Sequence, residues 1–409
     1  MVVKFKTDFD KAVLLDNFER RNWMRSDDDW HFNWATVWAV RQMFNPDTGY
    51  RLADNQIINH FPNHYELTKK DLMVKNIKRY KRDKERDPSA QLYNAAGETI
   101  TDFVPMTYIL PSDYSLFVEE YKKDPGSLWI VKPSAGAQGK GIFLVTKLQQ
   151  LKKWAKDKFQ YSEASTSQAK DQYVISKYVE NPLLIGGKKF DLRVYVLVTC
   201  YRPLRAYFHS DGFARFCTVK YNLDVNDLDN QFVHLTNVAV QKQGDDYNDN
   251  HGGKWHLENL LLYIESRHSK ESADLLMANT KFIIIQSLRS CQGVMNNDKH
   301  CFELYGFDLL LDSSFKPWLI EINASPSLSY TTPADRHLKT ELIGDVLDIV
   351  IPPDFPEGKT YRDHRTGPTS EVSLGGFTVL IDEVAEIEER DKMDRNTKIK
   401  PTRTTTLGP

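Results

Sequence analysis

Cysteine is scarce in this chain: Cys200, Cys217, Cys291 and Cys301 are the only ones among 409 residues, and none forms a C-x-x-C pair. That spacing offers neither a zinc knuckle nor a disulfide framework, so the four read as buried thiols in a reducing compartment. Long hydrophobic runs are also missing. Val194–Cys200 and Phe282–Ile285 are of strand or core length, well short of the ~18 apolar residues of a membrane span. Met1–Asp10 mixes Lys4, Lys6 and Asp8 among single apolar residues and has no secretory h-region. A cytoplasmic protein with no membrane partner is expected. Charge of one sign is absent too: 54 Lys and Arg stand against 56 Asp and Glu, a formal net charge of −2. A generally basic nucleic-acid coat is excluded, and any charged partner must be met by a local patch. The kinase signatures H-R-D and D-F-G, a nucleophile-elbow serine and an internal repeat are likewise not found.

What is present suits a large globular chain. At ~150 residues per domain the length predicts two to three domains, and 41% hydrophobic with 12% aromatic content supplies a core. Residues 1–66 read as an N-terminal α/β lobe containing Trp23, Trp30, Trp34 and Trp38; the i, i+4 spacing of the last two predicts one helix face packed into the core. The next helix is expected over Thr68–Arg86, with Met73, Ile77 and Tyr80 on one face and Lys75, Lys78, Arg79, Lys81, Arg82, Lys84 and Arg86 around the rest. It opens a central lobe, 67–190. Within that lobe 87–100 and Ser162–Lys170 read as loops, the second mobile. Short apolar strands at Trp129–Lys132, Ile142–Val145, Tyr173–Ser176 and Leu192–Cys200 alternate with helices at Tyr114–Lys123 and Lys147–Lys158. This predicts an α/β or α+β core, continued by a C-terminal lobe, 191–351. Pro352, Pro353, Pro356 and the charged run Glu386–Lys400 predict a weakly ordered tail, 352–409, to which Gly376–Ile381 could add one strand.

Three segments carry chemistry. Trp129–Phe143 (WIVKPSAGAQGKGIF) is a strand, a small-residue loop and a strand; Gly136, Gly139 and Gly141 permit tight turns that aim N–H groups at an anion, and Lys132 and Lys140 add charge. It is not a Walker A loop, because Ser134 replaces the first glycine and Gly141 the metal-binding hydroxyl residue, and Leu144 breaks a dinucleotide fingerprint. A phosphate cradle is the natural use; a plain hairpin is the alternative. The second segment is a C-terminal hairpin, Phe302–Leu311 with Pro317–Asn323. A turn centred between Ser314 and Phe315 sets Asp312 against Pro317 and Asp308 against Glu321, with Asn323 on the same face as Glu321. Opposed carboxylates about 5 Å apart repel unless a cation lies between them, and an Asp/Glu/Asn oxygen set suits Mg²⁺ bridged to phosphates. The third, Lys188–Val198 (KKFDLRVYVLV), alternates Lys189, Asp191 and Arg193 on one face with Phe190, Leu192 and Val194 on the other. Such charges at the edge of a buried strand need a ligand or a salt-bridge ladder. His60 and His64 have zinc-helix spacing, but Pro62 between them argues against that helix.

A Gly/Lys loop, a charged strand and a late Asp…Glu-x-Asn site describe a nucleotide-dependent enzyme. WIVKP, QGKGIF, KKFDLRVYVLV, FVHLTNVAVQK, GGKW, YGFDLLLD and PWLIEINASPSL, in that order over about two thirds of the chain, resemble the tubulin tyrosine ligase-like family. NHFPNHYELTKKDLMVKNIKRY and VMNNDKHCFELYG resemble its polyglutamylase branch. The resemblance implies an ATP-grasp fold with N-terminal, central and C-terminal lobes. It implies ATP contacts from Lys132, Gln138, Gly139 and Lys140; an adenine-side hinge at Ser176, Lys177, Tyr178 and Val179; and pocket walls from Lys189, Phe190, Asp191, Thr236 and Asn237. Ser176 departs from the pattern, since relatives often carry a larger polar residue there. Mg²⁺ would be held by Asp308, Glu321 and Asn323. Arg193 would face the transferred phosphate, with Lys132 and Glu321 as further catalytic groups, while Arg215 and Lys254, with Asn323, would receive the incoming amino acid.

The implied reaction is amide formation: the γ-phosphate of ATP passes to a glutamate γ-carboxylate on a tubulin tail, and the amine of L-glutamate attacks the acyl phosphate. Acidic tails would be drawn to Lys75, Lys78, Arg79 and Arg82, or those residues are a solvated helix face. The implied partners are tubulin, L-glutamate and companion subunits of a polyglutamylase complex, in the cytoplasm, on the cytoskeleton and at the axoneme or basal body of cilia. A non-catalytic nucleotide-binding scaffold, and a ligase for glycine or tyrosine, are the alternatives.

Overall fold

Fourteen consecutive residues, Lys188–Tyr201, form strand β10, and nearly all of them are buried. A strand covered on both faces belongs in the middle of a sheet. In this computed structural model it lies between β11 (Leu204–Phe216) and β13 (Cys301–Leu311), antiparallel to both. The described residues are 2–86, 102–136, 138–160, 172–224, 227–248, 253–351, 355–357 and 373–398. The expected loops at 87–100 and Ser162–Lys170, and much of the tail, fall outside them.

Beyond β13 the sheet continues through β4 (Ile57–Asn59), β3 (Phe32–Trp34), β1 (Lys4–Thr7) and β2 (Met24–Arg25), each pair parallel. At the other end β12 (Lys254–His256) pairs with β11. Strands β9 (Leu184–Ile185), β14 (Pro317–Asn323) and β15 (Phe377–Asp382) attach to β10, β13 and β11 and bring the total to eleven. The N-terminal and C-terminal segments therefore share one sheet, and the boundary expected at 190/191 falls inside β10, where no chain break in structure exists.

Period-2 alternation divides β10 between two cores. Val194, Val196 and Val198 join Leu276, Ile283 and Leu288 of the helix Lys270–Gln292 on one face. Tyr195 and Leu197 join Leu342 and Val346 of Pro333–Val350 and Phe18 of Ala12–Arg20 on the other. Each such side chain contributes ~1.5–3 kcal/mol on burial. A second, four-stranded sheet, ordered β5 (Thr107–Leu110), β8 (Tyr173–Lys177), β6 (Trp129–Pro133), β7 (Phe143–Val145), has its own core of Trp129, Val131, Phe117 and Leu151.

Two expectations are corrected. Trp34 and Trp38 do not share a helix. Trp34 ends strand β3, and the following helix begins only at Val37, because Thr36 caps it by accepting from Ala39 N while Asp8 holds Thr36. Trp38 is consequently 69% exposed. The tail, expected to be weakly ordered apart from one strand at Gly376–Ile381, supplies that strand as β15 and adds a helix, Glu383–Lys398, that the sequence reading did not foresee. Buried Arg205 pairs with Asp382 at 2.9 Å, and Glu383 accepts from Leu204 N and Gln292 Nε2, each at 2.7 Å, which fastens this segment to the sheet.

Candidate active site

The hairpin β13–β14 places Asp308 opposite Glu321 and Gly306 opposite Asn323, as alternation along two strands requires. Nearer the turn the pairing slips by one, because β14 carries a bulge at Ile320 and Leu311, not Asp312, faces Pro317. Asp312 has left the ladder to build the turn. Its carboxylate accepts from Ser314 N, Lys316 N and Trp318 Nε1 at 2.9, 3.1 and 3.0 Å, and Phe315 takes a left-handed φ of 62°. The bulge absorbs the extra residue and restores the register at the carboxylates.

Cations surround this pair. Asp308, 1% exposed, receives the guanidinium of Arg193 through Nε and Nη2 and a third contact from Arg215 at 3.0 Å. Burial pushes its carboxyl up, but Arg193 and Arg215 outweigh that and hold it well below the usual carboxylate range. Glu321 is met by the ammonium of Lys70 at 2.8 Å. Asn323 Nδ2 lies 3.2 Å from Asp308 and 3.5 Å from Glu321. Two carboxylates and an amide whose O and N ends exchange by a half-turn form a hard oxygen set that fits Mg²⁺. Among the described residues no group of three or more His, Cys, Asp or Glu gathers as a metal site, His60 and His64 included.

A cleft runs from this hairpin to the second sheet. Lys132, Gln138, Gly139, Lys140, Ser176, Lys177, Tyr178 and Val179 line it from the second sheet and its loop; Lys189, Asp191, Thr236 and Asn237 line the other wall with Asp308 and Glu321. Phe190 does not. Alternation sends it to the opposite face of β10, where it is buried against Phe216. Gln138, Gly139 and Gly141 have φ of 61°, 77° and 72°, and a Cβ on Gly139 would come within 2.8 Å of Val240. The loop therefore folds directly onto the HLTN segment. Burial lowers the Lys132 ammonium to about 8, and lowers Lys189, whose Nζ donates to Tyr178 Oη at 2.8 Å and His234 O at 3.0 Å.

At the outer end of the sheet, Arg215 on β11 faces Lys254 on β12, two cations directly opposed. Arg215 is held by Asp191 through contacts of 2.8 and 2.6 Å, and Lys254 by Asp335 at 2.7 Å. Asp335 also meets Lys339 at 2.9 Å, whose ammonium burial brings to about 8. Arg193 does not line the cleft but stands behind it on Asp308. Of the expected tail-binding residues, Lys75, Lys78 and Arg82 line a separate groove beside the helix Lys70–Arg86, while Arg79 turns to Ser290 O at 3.3 Å.

Sequence reading missed Lys70, Asp335 and Lys339. Lys70 is the first residue of its helix, just ahead of the basic run. Asp335 and Lys339 have i, i+4 spacing behind the Thr332 cap, a signal that was available.

A mixed sheet and a smaller sheet enclosing a cationic cleft, with an acidic hairpin at its floor, define an ATP-grasp-like ligase. The chain belongs to the tubulin-tyrosine ligase family, whose model matches residues 50–359. It is 52% identical to the probable alpha-tubulin polyglutamylase Ttll1 of Tetrahymena thermophila, over 94% of both chains. It is 43% identical to the probable tubulin polyglutamylase TTLL9 of Bos taurus, over 89% of this chain and 82% of the relative. Against the tubulin polyglutamylase TTLL5 of Homo sapiens identity is 37%, covering 73% of this chain and 22% of that longer protein.

Proposed function

We propose that this chain is an ATP- and Mg²⁺-dependent tubulin polyglutamylase, joining L-glutamate to γ-carboxylates of glutamates in tubulin tails. The carrying observation is the pair of like-charge oppositions in one sheet. Asp308 faces Glu321 on the hairpin, and Arg215, which reaches Asp308 at 3.0 Å, faces Lys254 on the neighbouring strand. Protein counter-ions meet both pairs, Lys70, Arg193 and Arg215 on the acidic one and Asp191 and Asp335 on the basic one, so an entering Mg²⁺ or carboxylate would exchange with partners of its own sign. Among the side chains that line the cleft, Lys70, Lys132, Lys140, Lys177 and Lys189 outnumber Asp191, Asp308 and Glu321, which leaves it able to accept anionic ligands.

In this reading Lys132, Gln138, Gly139 and Lys140 cradle the ATP phosphates beneath the small-residue loop, and Ser176–Val179 run along the adenine. Asp308, Glu321 and Asn323 would hold Mg²⁺, which supplies charge neutralisation on the phosphates. Lys132 and Lys70 offset the charge that builds on the transferred phosphoryl group, and Arg193 fixes Asp308 in place. Arg215 and Lys254 orient the carboxylates of the incoming glutamate so that its amine reaches the acyl phosphate, with phosphate as leaving group. No side chain acts as nucleophile. Companion subunits of a complex, microtubules as the acceptor, and the cilium as a site of action belong to the same proposal.

Incorporation of labelled glutamate into tubulin, by the chain alone and with companion subunits, tests it against Glu321→Gln. Loss of incorporation in the variant is expected; incorporation that survives Glu321→Gln removes the mechanism. Glycine and tyrosine offered in parallel decide the donor, and a scaffold incorporates none of the three.

A further inference from the structure

The sequence places His60 in a zinc-like spacing that the structure leaves without a metal cluster, yet His60 is one of the most constrained residues in the molecule. It follows directly on strand β4 at a φ of 78°, a left-handed value that a side-chain-bearing residue adopts only where its surroundings impose it. Its own N–H donates to Phe302 O at 2.7 Å. Its ring, 2% exposed, meets Glu303, which is fully buried, through Nδ1 at 2.5 Å, and the second carboxylate oxygen of Glu303 accepts from Phe61 N at 2.8 Å. The other ring nitrogen, Nε2, lies 3.3 Å from Ser325 Oγ.

We propose that Glu303, His60 and Ser325 form a positioning relay that sets the end of β14, and with it Asn323 and Glu321, in the geometry that receives the metal–nucleotide. A buried carboxylate and imidazole add little net stability compared with an apolar pair of similar size, so fold stability alone is a poor account of them. Direction is what they supply. With Nδ1 committed to the carboxylate, Nε2 is the ring nitrogen left to meet the Ser325 hydroxyl, and the fixed ring sets where that hydroxyl points. Ser325 is two residues beyond Asn323, where the chain leaves the strand. On the other side Pro326 closes against Gly306, the cross-strand partner of Asn323; a Cβ there would come within 3.0 Å of Pro326. The segment is thus pinned from two sides. Glu303 and Asp308 lie on the same strand, β13, so the relay ties both sides of the acidic hairpin to one rigid element.

This inference rests on the nucleotide-ligase reading, and binding rather than turnover separates the two. Ser325 is exposed, so Ser325→Ala leaves the fold and its melting temperature intact. Titration calorimetry of the full chain with ADP, in the presence and absence of Mg²⁺, is the measurement. Ser325→Ala is expected to lose about tenfold in affinity for MgADP, the usual effect of removing an outer-shell partner, and nothing for metal-free ADP. Ser325→Thr, which keeps the hydroxyl, stays near wild type, and His60→Gln follows Ser325→Ala if it folds. Unchanged MgADP affinity in Ser325→Ala, an equal loss in both titrations, or a Thr variant as weak as the Ala variant overturns the relay. A wild-type chain that binds neither form of ADP removes the nucleotide reading and the relay together.

Discussion

Lys70, at the first turn of the basic helix, ends 2.8 Å from the carboxylate of Glu321 on β14. A helix from the N-terminal third of the chain thereby delivers a cation to the far hairpin. Its Nζ also lies 3.3 Å from Gly136 O in the small-residue loop, so one side chain links loop and hairpin. Lys70→Met is expected to lower kcat for ATP-dependent glutamate transfer by about 10²-fold, as removal of a single preorganised charge does. It also leaves Glu321 without its pairing cation. Steady-state ADP release measured with the variant checks this; a kcat within twofold of wild type would assign Lys70 a purely structural role.

The depressed Lys132 gives a pH signature. Burial lowers its ammonium from 10.5 to about 8, so the free protein loses this charge as pH rises through about 8. Nucleotide affinity is expected to fall with pH above that value, and Lys132→Met to abolish that part of the decline. The linked stability has the opposite slope. Between about 8 and 10.5 the unfolded chain binds more protons at this residue than the folded one, so its unfavourable contribution is full below about 8 and fades as pH rises. Calorimetric ADP titrations and melting curves from pH 7 to about 10 check both signs.

Gly139 is needed for two separate reasons, a φ of 77° and the absence of a Cβ that would meet Val240 at 2.8 Å. The left-handed conformation alone disfavours alanine by ~1–2 kcal/mol. Because the loop covers the cleft rather than filling a core, that energy is expected to appear in binding. Gly139→Ala should weaken nucleotide affinity by roughly tenfold or more with little change in melting temperature. A variant that melts early but binds normally would show the loop to be part of the fold's stability instead.

How far the sequence reaches is visible in particular residues. Asp308 and Glu321 were legible because side-chain direction in strands repeats every two residues and the hairpin turn is short. The one-residue slip near Asp312 was not, since it depends on a carboxylate bonding the turn and on a bulge at Ile320 that compensates. Lys189, Asp191 and Arg193 could be placed on one face by alternation. That same alternation argued against Phe190 in the pocket, where motif resemblance alone had put it. Trp38 was misplaced because spacing cannot see that Thr36 starts the helix after Trp34 has finished a strand. Lys70 reaches Glu321 only through packing of a distant helix, and no local pattern encodes a contact of that sequence separation.

The basic helix separates into two kinds of cation. Lys78 Nζ donates to Thr107 O at 2.5 Å and sits 5.2 Å from the Tyr108 ring centroid, and Arg79 donates to Ser290 O. Burial lowers the Lys78 ammonium, as expected of a group engaged with the protein itself. Lys75 and Arg82 line the same groove and are as exposed as Lys78, but among the described residues neither holds a hydrogen bond or ion pair, which leaves their charge available to an acidic segment. Charge reversal of Lys75 and Arg82 is expected to raise KM for microtubules several-fold at low salt. The effect should shrink towards ~0.15 M salt, where screening shortens to ~8 Å, while ADP affinity stays unchanged. Reversal of Lys78 or Arg79 instead removes a bond to a backbone carbonyl, about 1 kcal/mol each, and lowers the melting temperature. Measuring KM, ADP affinity and melting for both pairs tells recognition from stability. If the Lys75 and Arg82 variants keep wild-type KM at low salt, the groove is a solvated face and the acidic tail is held elsewhere.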